Sequence, residues 1–475
     1  MEHLNKDIDT SERVQRVACS LKHTHDKLNH FALPNSARDY AHQFFSLYQQ
    51  RLAMLKPRVD HETTRRWGNN TRQVNGKFIQ HKPKILDITS GELCWVSGTI
   101  FSDMKHKLNI LQEVERGTDD VLLQPPPKYL DAENEAVVMI EDESGRAILH
   151  NDALLRKSHL VTGCVVGVLG MEIQAGVLEI MEIVHPVPAP QQGAEERTAF
   201  PQEWIAFVSG LSVGRETALD LKIILLQQWL SGELGGSSDV GMARSISALV
   251  MVGNSIAEDE HEDTLDFSTT NNFGSKNTSK LSAESLAVFG LWLSEVLATV
   301  PVVVMPGDSD PCEVCLPQQP IHRALFGKNC AYVGSQSFSA LTNPAWMELA
   351  NGLRILATSG QNVNDIYKYG KNSPSLQLTL EIMELTLRWQ VIVPTAPDTL
   401  YCYPYEDRDP FSLDETPNLY VVGNQCASGS RDIQLGPNSV TLVSVSAFLK
   451  TGEIVLVNTT TLETKTVRIV DGEKF

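Results

Sequence analysis

Four turns in the second half of the chain each follow an apolar run of β character and present small polar or acidic residues. They are Ser209-Gly210-Leu211, Gly253-Asn254-Ser255, Gly307-Asp308-Ser309-Asp310 and Gly423-Asn424-Gln425. The sharpest lies in PVVVMPGDSDP, Pro301 to Pro311, where a Val-rich run should form a strand that delivers Asp308 and Asp310 to a loop. Paired carboxylates at a strand end are how a divalent cation gains its first protein ligands. A two-metal phosphoesterase needs more: D-x-H, G-D-x-x-D and G-N-H-[DE] at successive strand ends, then a lone His and a G-H-x-H, because each metal takes carboxylate and imidazole from several directions. The spacing of the turns suits that scheme and the residue types do not. Of 13 histidines only His261 and His322 fall after residue 200, and His261 sits in an acidic, polar stretch read as a disordered insertion over about 257–281. The expectation is a metal-loop framework that has lost its ligands, with degenerate positions Ser209, Asn254, Asp308, Asp310 and Asn424. Asp308 and Asp310 should cap backbone N–H groups, as Asp does in turns. No catalytic residue, metal or cofactor is expected.

Three other patterns invite chemistry. Gly210-Leu211-Ser212-Val213-Gly214 matches G-x-S-x-G between a strand and a helix, the setting of a nucleophile elbow, and Asp308 or Asp310 and then His322 follow in the order of that triad. The strand opens its domain, however, and no HGGG-type oxyanion loop precedes it, so a Gly-lined turn is the preferred reading. Cys312-Glu313-Val314-Cys315, with His322 and Cys330, has the residue types of a Cys₃His zinc site but lacks a second cysteine pair, so loop cysteines are preferred. In HTHDKLNH, His23, His25 and His30 lack a completing acid or cysteine pattern and read as part of a solvated polar arm over 1–33.

The elements that must position these residues fall in blocks. At 475 residues the chain exceeds one ordinary core. Within 34–83, SARDYAHQFFSLYQQRLAMLKP places Tyr40, Phe44, Leu47, Tyr48, Leu52 and Leu55 at helical spacing, with Ser36 as N-cap, Pro57 as stop and an aromatic stripe for packing on a neighbouring domain. Between 84 and 190 the runs KILDI, LCWVSGTIF, AVVMIEDESGRAIL, VTGCVVGVLGMEI and GVLEIMEIV read as strands of a five-stranded barrel of OB type. Glu143-Ser144-Gly145 should be a hairpin turn, and Gly163, Gly167 and Gly170 should supply bends. Residues 191–202 read as a linker. From 203 to 475 strands alternate with helices, which implies a layered α/β sandwich closing in strands such as VTLVSVSAF and GEIVLVNTT.

Composition narrows function. Eight scattered cysteines fit a reducing compartment such as cytosol or nucleus, and neither a signal peptide nor a membrane-spanning run is read in the sequence. A formal charge of −18 argues against gripping nucleic acid through the chain's own surface. The 84–190 block holds eight Lys and Arg against 17 Asp and Glu, with Trp95, Phe101 and Tyr129 as its aromatics, which disfavours a single-strand reader.

With these residues in view, the chain resembles the B (small, accessory) subunits of replicative DNA polymerases, closest to the delta branch. EDESGRAIL, CVVGVLGMEIQAG, FVSGL, VGNS, MPGDSDP, LPQQPIH, TNPAWME, SGQNVNDI, PTAPDTLYCYPY and DPF carry the likeness from about residue 35 to the end, LPQQPIH and TAPDTLYCYP being the delta-specific ones. The resemblance implies an OB barrel joined to an inactivated calcineurin-like phosphodiesterase domain, and a non-catalytic subunit acting in replication and repair. It implies a nuclear protein that bridges the cysteine-rich C-terminal module of the delta catalytic subunit to a third subunit and meets DNA only through the complex. Aromatic and Pro-rich loops suit protein contact, and Leu316, Gln318, Gln319, Asp398, Tyr401 and Tyr405 are the candidate contact positions. The alternatives are an active metal-dependent phosphoesterase and an independent single-stranded DNA-binding OB protein.

Overall fold

The computed structural model describes residues 16–34, 38–68, 73–74, 76–107, 128–130, 136–193, 203–214, 220–257, 283–329 and 337–470. The expected insertion over 257–281 beyond Ala257, Ser36, His261, Cys330 and most of the 191–202 linker lie outside the described residues. No described helix is long and apolar enough to cross a membrane.

Residues 16–34 depart from the solvated arm expected of them and lie along the body as a strap. Arg16 donates to the carbonyls of Leu230, Ala243 and Ile246, Lys22 N donates to Glu348 O and Ala350 N to Ser20 O, and Phe31 is buried against Phe411. The polar composition of the strap hid this, because its anchors are backbone groups and one deep aromatic.

The first helix, α1 (Phe45–Trp67), starts later and ends later than its sequence signals suggest. It runs through Pro57, which is exposed on the outer side where a missing N–H is tolerated. Leu47, Arg51, Leu55, Val59, Thr63 and Trp67 form one buried stripe at every fourth position. That stripe, and not the aromatic one, is the packing face; Phe44 and Phe45 stay exposed.

After a two-residue pair, β1 (Gln73–Val74) with β2 (Lys77–Phe78), comes a sheet of β3 (Gln80–His81), β4 (Leu93–Asp103), β5 (Val137–Glu141), β6 (Arg146–His150), β7 (Val165–Gln174) and β8 (Val177–Val184). Its order is β3-β4-β5-β6-β8-β7, and β4 pairs also with β7, so five strands close a ring. KILDI is not one of them: Ile85–Asp87 is a 3₁₀ turn whose Ile85 N–H is held by Asp142. The expected hairpin turn is present, with Asp142 Oδ1 accepting from the N–H groups of Ser144 and Gly145. A Cβ at Gly167 would lie 2.4 Å from the Thr63 methyl, so glycine there is what lets α1 lie against the ring. A short helix, α2 (Asp152–Ser158), spans the gap before β7.

The remainder is two stacked sheets. One has the order β12 (Phe338–Ala340), β11 (Val302–Met305), β10 (Ile246–Val252), β9 (Trp204–Val208), β18 (Glu453–Asn458), β19 (Thr464–Arg468), with β9 to β12 parallel. The other has the order β13 (Ala345–Glu348), β14 (Arg354–Thr358), β15 (Leu419–Gln425), β17 (Asn438–Ser446), β16 (Gly429–Leu435), with β14, β15 and β17 parallel. Strands buried on both faces read as continuous apolar runs. Alternate residues divide between two cores: Ile205, Phe207, Val250 and Val252 meet the opposing sheet, whereas Ala206, Val208, Leu249 and Met251 meet the outer helices α3 (Asp220–Ser231) and α5 (Ala283–Leu297). The small α4 (Ser237–Ser245) had no clear sequence signal. On the far side of the second sheet, α6 (Gln361–Ile366) and α7 (Leu376–Trp389) share one core with α1 and the ring. Residues 186–193 pack there too; Ala189 is buried and its N–H donates to Gln390 Oε1.

Candidate functional site

The strand ends of the two sheets meet where the four turns leave them. Parallel β9, β10 and β11 finish at the same edge, so Gly210, Asn254 and Asp308 leave it as neighbours, and β15 brings Gly423-Asn424 across from the opposing sheet. Asn254 and Asn424 hold left-handed backbone, φ 56° and 55°, a conformation Asn tolerates better than most residues. A Cβ at Gly253 would approach Ser359 to 2.5 Å and the Gly307 Cα to 3.0 Å, so the turns crowd together only with glycine there.

The structure brings the five degenerate positions into one cluster and shows what most of them do. Ser209 Oγ donates toward the Val445 and Ser446 carbonyls, 3.3 and 3.1 Å, and accepts from Asn424 N at 2.8 Å. Asn424 Nδ2 donates to Ser359 O at 2.8 Å and Val252 O at 3.3 Å, tying both sheets. Asn254 Oδ1 accepts from Ser309 N at 3.3 Å. Asp310 is buried, and both carboxylate oxygens face backbone donors: Ser255 N at 2.8 Å, Ile256 N at 3.0 Å and Gly307 N at 2.8 Å. Burial pushes its carboxyl up to about 6, with those N–H bonds opposing the shift. Of the two aspartates expected to cap backbone, Asp310 has the bonds, while Asp308 is exposed.

Asn343 was not anticipated. From the loop before β13 its Nδ2 donates to Gln318 Oε1, Ser359 Oγ and Gln361 Oε1 at 2.7 to 2.8 Å, and its Oδ1 accepts from Ser359 N at 2.9 Å. TNPAWME was legible as a motif, but nothing in the sequence pairs Asn343 with Gln318. Four buried oxygens at or beside this edge, Ser255 Oγ, Ser309 Oγ, Asn424 Oδ1 and Gln425 Oε1, have no hydrogen-bond partner among the described residues.

These donors do not fit a two-metal centre. The one buried carboxylate is consumed by N–H groups, two positions are amides and one is a hydroxyl; His322 is exposed, its Nδ1 accepting from Ala324 N. The remaining candidate chemistry is likewise not assembled. Ser212 has φ 46° and its N–H donates to Asn254 O, and no hydrogen bond joins it to an imidazole among the described residues. Cys312 contacts the Gly307 and Asp310 carbonyls and accepts from Gln318 Nε2, and burial pushes its thiol well up, the wrong direction for a thiolate ligand. His25 and Asp26 of the strap meet Glu348 of β13, yet the buried Arg354 guanidinium is already bonded to Asp26 Oδ1 at 2.5 Å and Glu348 Oε2 at 2.7 Å. His30 instead bonds the Pro410 carbonyl and His23 is exposed.

Most of the expected contact positions turn inward. Leu316, Gln318 and Tyr405 are at most 3% exposed. Gln319 holds the strap through Leu33 N and Phe31 O, and Asp398 pairs with Lys107. Tyr401, 58% exposed, is the one that offers a surface. The Pro and Tyr content of these loops does not tell which side of the loop faces out.

Comparison with known proteins defines the class first. Residues 205–430 match the family of DNA polymerase alpha/epsilon B subunits, and residues 43–183 match the DNA polymerase delta subunit OB-fold domain. The chain is 36% identical to the DNA polymerase delta small subunit of Saccharomyces cerevisiae, covering 98% of this chain and 97% of that one. It is 34% identical to the small subunit of Oryza sativa subsp. japonica over 81% of this chain and 85% of that one, and 31% identical to DNA polymerase delta subunit 2 of Drosophila melanogaster over 92% and 95%. The chain belongs to the family of DNA polymerase delta small subunits.

Proposed function

We propose that this chain is a non-catalytic assembly subunit of DNA polymerase delta in the nucleus. It joins the cysteine-rich C-terminal module of the catalytic subunit to a third subunit and meets DNA through the complex. Residues 84–190 form an OB-type barrel, and 203–475 an inactivated calcineurin-like phosphodiesterase domain whose strand ends were kept for shape. The observation that carries this reading is the use of Asp310, Ser209, Asn254 and Asn424 to hold the turns to one another. Groups bonded to fixed backbone cannot rearrange around an activated water and two cations without those bonds being lost. A body with its chemistry committed to rigidity is suited to presenting surfaces, and the near full-length likeness to delta small subunits supplies the assembly.

Co-expression with the cognate catalytic subunit and third subunit, followed by size exclusion at micromolar concentration, tests it. The three should co-elute, and deletion of the catalytic subunit's C-terminal module should release that subunit alone. Separate elution, or co-elution unaffected by the deletion, would overturn the reading.

A further inference from the structure

The outer face of α1 is left uncovered by the described residues. The helix buries its Leu47 to Trp67 stripe, yet Phe45, Tyr48, Leu52 and Pro57 lie on another face that lines a groove of about 550 Å³, closed on the far side by Pro83 and the β5–β6 turn. Phe45 is 64% exposed there. From Phe45 to Pro57 the face runs about 18 Å along the helix, long enough for a peptide segment rather than a compact ligand. Pro57 has no N–H with which to pair the Ala53 carbonyl, and Ala53 lines the groove.

The charges of the groove have one sign in excess. Asp60, Glu141, Asp142 and Glu143 line it against Lys56 alone. Lys56 is bonded to Ser97 O at 2.9 Å. Glu141 is paired with Arg146, but Glu143 is 3.9 Å from Lys84 with its side chain 79% exposed.

We infer that this groove is a docking site for a segment of another subunit carrying apolar anchors flanked by Lys or Arg. The anchors cover Phe45, Tyr48 and Leu52, a basic group or peptide N–H meets the Ala53 carbonyl, and the flanking cations face the acidic rim. Such rim pairs set orientation and partner choice more than raw affinity. The inference rests on the proposed role in assembly.

The test uses the full chain with p-benzoylphenylalanine at Gln49, which lines the groove and is exposed, co-expressed with the catalytic and third subunits. Irradiation should give a cross-link to one of those subunits, mapping to a peptide with apolar residues beside Lys or Arg. A double variant, Gln49→Lys with Glu143→Lys, should weaken that subunit's binding about tenfold at low salt, with less effect at high salt. Failure of the unmodified subunits to assemble would refute the role in assembly and this inference with it. An assembled complex that gives no cross-link would overturn the docking site alone. So would a cross-link to an acidic segment, to a second copy, or to this chain's own residues 108–127.

Discussion

Arg51 links three parts of the architecture. It is fully buried in α1; its Nε lies 2.7 Å from Asp409 Oδ2, and its guanidinium donates to the carbonyls of Gly163 before β7 and of Pro394 and Ala396 beyond α7. One cation therefore joins the helix, the strand ring and the sandwich. Replacing it with methionine keeps the volume and removes the charge. Asp409 then keeps Ser412 Oγ and Phe411 N but loses its cation, and three carbonyls lose a donor. Removing one member of a buried pair costs about 3 to 5 kcal/mol, and orphaned carbonyls add to it. That is a large share of a typical total of roughly 5 to 15 kcal/mol. Arg51→Met should therefore lower the thermal midpoint sharply. Arg51→Lys should behave almost as badly, because one ammonium cannot reach four acceptors in the guanidinium's planar arrangement. The double variant Arg51→Met with Asp409→Leu should recover much of the loss, since replacing a buried pair with apolar groups is often close to neutral. Denaturant melts followed separately by tryptophan fluorescence and circular dichroism would measure this. A loss for Arg51→Met below about 1 kcal/mol, the range of exposed pairs, or a double variant as unstable as the single one, would refute the reasoning.

Three further outcomes are expected. The chain should not hydrolyse phosphodiesters or DNA with added Mn²⁺ or Mg²⁺; turnover abolished by Asp308→Ala would show a working metal site. It should bind single-stranded DNA weakly at physiological salt, because counterion release and stacking both need groups the barrel lacks, and submicromolar affinity in a polarisation titration would contradict this. Asp310, raised from 3.8 to about 6 by burial, is protonated in the folded chain and ionised in the unfolded chain between those values. Its contribution to stability should therefore fall as pH rises from about 4 to about 6 and level off above, by about 3 kcal/mol; the difference between the wild-type chain and Asp310→Asn across pH melts isolates it, and a difference that grows with pH instead would contradict the assignment.

The amino-acid sequence by itself determined the alternation of strands and helices after residue 203, the Val- and Ile-rich runs before it, the turn at Glu143 to Gly145, and the shortage of imidazoles after residue 200. These are local or compositional properties: period, turn residues and ligand counts are written into short stretches. Tertiary structure decided the rest. KILDI has strand composition but forms a 3₁₀ turn whose Ile85 N–H is held by Asp142, 57 residues on, and the polar strap is ordered by contacts of Arg16, Arg354 and Phe31 with groups hundreds of residues away. Pro57 reads as a stop until the stripe through Trp67 is seen to be buried along its whole length, which outweighs one missing backbone bond. Whether Tyr405 or Tyr401 faces solvent is likewise absent from PTAPDTLYCYPY, since both have the same residue type and only the elements packed beneath the loop choose between them.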